Sequence, residues 1–139
     1  MSRLIFLVGV LSLIGCGSQS VRHEAILGKW KSNARLTVES VKETEGITLQ
    51  TRTFLEDDFF GYMTVEIREN ESRTTNEKDN FDSGVEPYEV LEITDAYVRI
   101  KAWSNFLQTF DERVLYLEGD CYYEIFVGYR FRTYYCRYG

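Results

Sequence analysis

The chain is poor in groups that could perform covalent or acid–base chemistry. It has one histidine, His23, in a short polar stretch (residues 17–24). A nucleophile needs a base within hydrogen-bond reach, so a single histidine in such a stretch argues against a Ser-His-Asp or Cys-His site. Glu56-Asp57-Asp58 puts three carboxylates side by side. Calcium takes six to eight oxygens from a looping backbone, and three adjacent side chains suit a solvated turn better. No His/Cys grouping has zinc spacing, and no glycine-rich phosphate loop is present. The expectation is a protein that is not an enzyme and uses neither cofactor nor metal. The residues whose types suit recognition lie near the C-terminus. Arg130, Arg132 and Tyr134 bring guanidinium forks and a phenol close together, which is the donor set that grips a carboxylate. Tyr123 faces Tyr134 if residues 121–138 form a hairpin.

The elements that would position these groups begin after a leader. Residues 1–15 carry one positive charge (Arg3) and an apolar run from Leu4 to Ile14. That run is shorter than the roughly 20 residues that span a bilayer and has the pattern of a secretory signal. Leu13-Ile14-Gly15-Cys16 resembles the lipobox of bacterial lipoproteins. The resemblance implies cleavage before Cys16, acylation of its thiol with chains such as palmitate, and a membrane anchor. Two or three acyl chains give stable anchoring where one does not. It also implies a place in the bacterial envelope. Gly17, where an inner-membrane lipoprotein of enteric bacteria tends to carry Asp, points to the outer membrane, facing the periplasm. The alternative is an ordinary cleaved signal with Cys16 free or bridged. The expected organisation is a signal (1–15), a lipidated N-terminus and tether (16–24) and one domain (25–139).

The precursor has a formal charge of −6, and no basic block gives it a nucleic-acid footprint. It is rich in aromatics, with Tyr 10 and Phe 9, and has one proline, Pro87. That composition favours strands. The chain has three cysteines. With Cys16 acylated, Cys121 and Cys136 remain in an exported protein, where disulfides persist. Residues 121–127 and 130–138 read as strands around Gly128-Tyr129, a type II′ turn signal. Counting outward pairs Val127 with Arg130, Ile125 with Arg132, Tyr123 with Tyr134 and Cys121 with Cys136. Opposed residues lie about 4.5–5.5 Å apart at Cα, within disulfide reach. Two buried thiols are the alternative. The same count places Tyr123, Arg130, Arg132 and Tyr134 on one face.

Further strands are expected at residues 35–41, 47–55, 59–68, 88–94, 97–103, 106–110 and 113–117. The clearest is 59–68, where Met63, Val65 and Ile67 alternate with polar neighbours. Residues 69–84, charged and polar, read as a long loop or a pair of frayed strand ends.

Gly28-x-Trp30, early in the mature chain and leading into a strand, resembles the first-strand motif of lipocalins and related calycins, fatty-acid-binding proteins included. The resemblance implies an all-β, antiparallel up-and-down barrel of about eight strands. In it Trp30 would plug one end, often under an arginine of a late strand. Arg132-x-Tyr134 is similar to the carboxylate-gripping pair of fatty-acid-binding proteins. Three placements stay open for the arginines: anchoring a ligand inside the barrel, stacking of Arg130 or Arg132 over Trp30, or solvent. Two functions follow as expectations. One is an anchored lipoprotein that binds a small hydrophobic or amphipathic, fatty-acid-like ligand. The other is an envelope protein-interaction module with a solid barrel core.

Overall fold

A computed structural model describes residues 24–139. The leader, Cys16, His23 and most of the tether lie outside these residues, so the lipobox reading and its boundaries do too.

Eight antiparallel strands follow one another around a closed barrel, each paired with the next and the last with the first. They are β1 (Gly28–Ser32), β2 (Met63–Arg68), β3 (Glu71–Asn76), β4 (Phe81–Ile93), β5 (Tyr97–Ser104), β6 (Thr109–Glu118), β7 (Cys121–Ile125) and β8 (Arg132–Arg137). Two helices, α1 (Ala34–Glu43) and α2 (Leu49–Glu56), are inserted between β1 and β2.

The barrel wall follows from two-residue alternation. Val65 and Ile67 of β2, Val98, Ile100 and Ala102 of β5, and Leu115 of β6 point inward and are buried. They pack with Trp30, Tyr88 and Tyr122 into one core. That core fills the end of the barrel where β1 begins and β8 finishes. A short 3-10 turn (Glu24–Ile26) lies across this end and buries Ile26 completely. The Trp30 indole Nε1 donates to the Ile26 carbonyl at 2.9 Å, and its ring meets Tyr122 edge-on at 4.9 Å.

Residues 35–41 and 47–55 are helical, not strands. The partial alternation of Leu36 and Val38 is misleading, because the buried residues of α1 are Thr37 and Val41, one helical turn apart. Both helices have N-caps. Asn33 Oδ1 accepts the Leu36 N–H at 3.0 Å, and Thr48 Oγ1 accepts that of Thr51 at 3.2 Å. The Arg52 guanidinium donates to the carbonyls of Lys42 and Thr44 at 2.9 and 3.0 Å, closing the end of α1. The pair has its own small core of Val41, Ile47, Leu55 and Phe131.

Helix α1 also completes the wall. β1 pairs with β8 only through Ser32↔Tyr135, and the next β8 amides would be left without partners. Thr37 Oγ1 accepts the Tyr134 N–H at 2.9 Å, and Ser40 Oγ accepts that of Arg132 at 2.8 Å. One helical turn thus supplies two acceptors to the strand edge.

Three other expectations change. Residues 69–84 hold β3 and the start of β4, paired from Glu71↔Pro87 to Asn76↔Phe81 with a bulge after Arg73. Polar residues serve here because Arg73 reaches across the strands to the Asp82 carboxylate. Residues 59–62 precede β2, Phe106 lies in the β5–β6 turn, and the two strands expected at 106–110 and 113–117 are one continuous strand, β6. The β7–β8 register is the one obtained by counting, from Ile125↔Arg132 to Cys121↔Cys136, but the turn is wider than two residues. The Phe126 N–H donates to the Phe131 carbonyl at 2.8 Å and the Arg130 N–H to that of Phe126 at 3.0 Å. Gly128 (φ 104°) and Arg130 (φ 63°) both adopt left-handed backbone in this loop. Val127 and Arg130 are therefore loop residues and not a strand pair.

Candidate functional site: a cavity at the helical end of the barrel

The barrel is solid at one end and hollow at the other. Beside the C-terminal end of α2, where Phe54 and Asp57 join its lining, lies a cavity of about 1190 Å³. Its wall is mainly apolar and aromatic, with Phe60, Met63, Phe126 and Tyr135 among the lining residues. At this end Met63 of β2 and Asn76 of β3, a register pair, line the cavity. The chain also leaves β1 at Ser32 to form the helices, so no strand residue fills the space above it.

The mouth has an aromatic border. Phe54 and Phe59 lie 5.2 Å apart, Phe59 and Phe60 5.0 Å, Phe60 and Phe131 5.9 Å, and Phe131 and Phe126 4.9 Å between ring centroids. The run joins α2, the loop before β2 and the β7–β8 loop. Several of its members are exposed: Phe54 at 62%, Phe59 at 48% and Phe126 at 45%.

The side of the cavity is also parted. β6 stays paired with β5 to its first residue, Ser104↔Thr109. Its ladder with β7 stops after Tyr116↔Tyr123. The earlier part of β6 and the end of β7 diverge, and Val114 and Ile125 on either side line the cavity. One ion pair spans this opening. Arg113 Nε donates to Glu124 Oε1 at 2.7 Å and Nη2 to Oε2 at 2.6 Å, a two-pronged contact. Both residues have inward parity, Arg113 with Leu115 and Glu124 with Tyr122. The Glu124 charge holds Arg113 above the ordinary guanidinium range against the opposing effect of burial. Burial, followed by the Glu124 charge, pushes up the Tyr135 phenol beside the pair. Arg113 nevertheless retains 41% side-chain exposure and Glu124 17%, because the cavity admits solvent.

The residues expected to anchor a ligand lie elsewhere. Tyr123, Arg132 and Tyr134 share a face, and that face is the outside of the barrel. The inward positions of the hairpin are the alternate set, Tyr122, Glu124, Thr133 and Tyr135. Polarity in the hairpin does not distinguish the two faces, since both carry aromatic and charged residues. Burial of Tyr122 in the core decides between them. Outside, Tyr97, Tyr116, Tyr123 and Tyr134 form a row across four strands, at 6.1, 5.0 and 5.2 Å between neighbouring rings. Arg132 lies over Tyr123 at 4.4 Å and donates to the Tyr134 hydroxyl at 3.4 Å. Arg130 is on the β7–β8 loop.

Nor does Arg130 or Arg132 cover Trp30. Arg137, register partner of Trp30, lies 4.3 Å from its ring. Its Nη1 and Nη2 donate to the carbonyls of Leu27 and Ala25 at 2.8 and 2.7 Å. It is an arginine of the last strand, but of the end that closes on β1. Gly28 makes room for it: a Cβ there would lie 3.0 Å from Arg137 Nη1, and its φ of 126° excludes ordinary side chains.

Cys121 and Cys136 form a disulfide on the outer face. Among the described residues no group of three His, Cys, Asp or Glu side chains could hold a metal ion. No helix of the described residues is long and apolar enough to cross a membrane. Asp58 of the acidic turn accepts from the Tyr62 hydroxyl at 2.6 Å and lies 3.6 Å from Lys78 Nζ.

Arg113 and Glu124 were missed in the sequence although a signal is there. Arg113 shares parity with Leu115 and Leu117, and Glu124 with Tyr122 and Phe126. Opposite charges on the apolar phase of consecutive strands mark an internal pair.

Fold and site together define a class: an all-β, closed, eight-stranded antiparallel barrel of lipocalin-like topology, hollow at its helix-covered end. No protein-family model, curated protein or solved structure matches this chain.

Proposed function

We propose that the protein is an envelope lipoprotein, anchored through acylated Cys16, that holds a small hydrophobic or amphipathic ligand in the helix-covered half of its barrel. The observation that carries this reading is the cavity of about 1190 Å³. It is somewhat larger than the roughly 300–1,000 Å³ typical of small-molecule sites. Its wall is mainly apolar, and its aromatic border continues to the surface, which suits a ligand that arrives from an apolar phase. The reading includes no catalytic step. The lipobox resemblance supports the anchor and the outer-membrane address.

A second reading is a docking module for another envelope protein. Phe106 and Leu107 at the β5–β6 turn, 82% and 60% exposed, favour it. The filled half of the barrel, packed with Trp30, Tyr88 and Tyr122, is compatible with both readings.

Native mass spectrometry of the protein, exported and purified without detergent, tests the first reading. A lipid-extractable adduct and a blue shift of added Nile red are the expected results. A clean unliganded mass with no Nile red response overturns the reading and leaves the docking module.

A further inference from the structure

The cavity's charges are arranged against an anionic ligand. The internal cation, Arg113, is held through two nitrogens by Glu124. A carboxylate ligand could take the two-pronged Nε–Nη2 edge of this guanidinium only by displacing Glu124. That would leave the Glu124 carboxylate, only 17% exposed, unpaired beside Tyr135, a costly state for a mostly buried charge. The mouth adds to the barrier. Asp57, Asp79 and Asp111 line the cavity together with the cation Lys78, while Glu112, also in the lining, is paired with Arg99 at 3.3 Å. Lys78 is itself engaged, donating to the Asp58 carbonyl and lying 5.0 Å from the centre of the Tyr62 ring. An incoming anion therefore meets like charge at the entrance and a neutralised partner inside.

The intact pair still has hydrogen-bonding capacity. Arg113 Nη1 has no role in the contact with Glu124, and each carboxylate oxygen of Glu124 has a further lone pair. Asn76 and Thr133 also line the cavity. Donors and acceptors thus lie together without net charge at the site. That combination matches hydroxyls or amides, which both donate and accept.

We propose that the cavity selects an uncharged amphiphile with a hydroxyl- or amide-bearing head group, of the acylglycerol kind, over a fatty-acid anion, and that Glu124 sets this preference by occupying Arg113. The proposal rests on the ligand-binding reading above. It replaces the carboxylate grip expected of Arg132 and Tyr134, which lie on the outer face.

The experiment uses purified, detergent-free protein loaded with Nile red. Monolauroylglycerol and laurate compete for the dye below their aggregation concentrations. The ester is expected to displace the dye at a concentration lower by about tenfold or more, the scale of a modest electrostatic preference. Glu124→Gln frees the Arg113 charge while keeping an acceptor beside it. Laurate should then gain about tenfold, with the ester changed by less than about threefold. The double variant Arg113→Gln with Glu124→Gln keeps an amide pair without charge, and the gain for laurate should vanish. Circular dichroism establishes that each variant is folded.

Laurate competing as well as the ester against the native protein would overturn the proposal. So would a folded Glu124→Gln variant with an unchanged preference. Both results leave the binding barrel standing. Failure of Nile red to bind the native protein defeats the binding reading and this proposal together.

Discussion

Thr37→Val is the most informative perturbation of the fold, because it changes one atom's chemistry at nearly constant shape. Thr37 is fully buried, and is the only polar residue in the buried set of the described residues. Its hydroxyl accepts the Tyr134 N–H where β8 has run past the end of β1. Valine keeps the volume but leaves that amide without a partner or access to water. A buried donor stripped of its acceptor costs about 1–3 kcal/mol. For a domain of this size each kcal/mol lowers Tm by roughly 4 °C. Ser40 provides the internal comparison. It performs the same service for the Arg132 N–H, but that bond is exposed and water can replace it. Ser40→Ala should cost less than about 0.5 kcal/mol. Urea unfolding of the two variants measures the difference, and hydrogen exchange locates it. The Tyr134 amide should lose protection in Thr37→Val and keep it in Thr37→Ser. Equal costs for Thr37→Val and Ser40→Ala would refute the idea that α1 acts as the missing neighbour of β8.

Trp30→Ala removes the packing against Tyr122, the cover under Arg137 and the bond to the Ile26 carbonyl. It should cost about 3–5 kcal/mol, read by chemical denaturation; a loss below about 1 kcal/mol would mean that this end of the barrel is not held by its plug. Cys121→Ser with Cys136→Ser opens a loop with a sequence separation of 15. It should cost on the order of 3 kcal/mol in the chain-entropy view, and dithiothreitol should lower the Tm of the native protein but not of the variant. Asp82 should titrate at about 2, below its ordinary 3.8, owing first to the side-chain bond from Arg73 and then to the Gly84 amide. Because the folded value is depressed, the associated stability is present above the ordinary carboxylate range and is lost as pH falls through about 2. Carboxyl NMR should find that midpoint and see it rise in Arg73→Gln.

Several parts of this architecture are legible in the amino-acid order. The alternation in β2 and β5 reflects one buried face. The Gly28-x-Trp30 motif reflects a tight approach at a barrel end. The hairpin count that opposes Cys121 to Cys136 survives a wider turn, because register depends on the sum of paired positions and not on the turn's own geometry. Local chemistry also carried signals for the helices. Asn33 and Thr48 stand three residues before the amides they cap, a spacing that outweighs the incomplete alternation of residues 35–41. The polar β3 strand was less legible because its pairing relies on Arg73 and Asp82 reaching each other across strands and not on an apolar face.

The dominant β character, the pairing of the last two strands, the disulfide and the sharing of faces within that hairpin are written in the amino-acid order. These depend on near neighbours and on counting. Which face lies inside is set by the closed barrel. Alternation relates residues to one another but is indifferent to sign, and a hairpin with aromatics on both faces gives no local preference. Closure of β8 on β1 settled the sign. It turned Tyr122 and Glu124 inward, put Tyr123, Arg132 and Tyr134 outside, and gave Trp30 to Arg137. The divergence of β6 from β7 then let Arg113 and Glu124 meet across an open wall and left space that reaches the end of α2. Such a cavity is a property of how distant strands separate, and no local pattern in the chain encodes it.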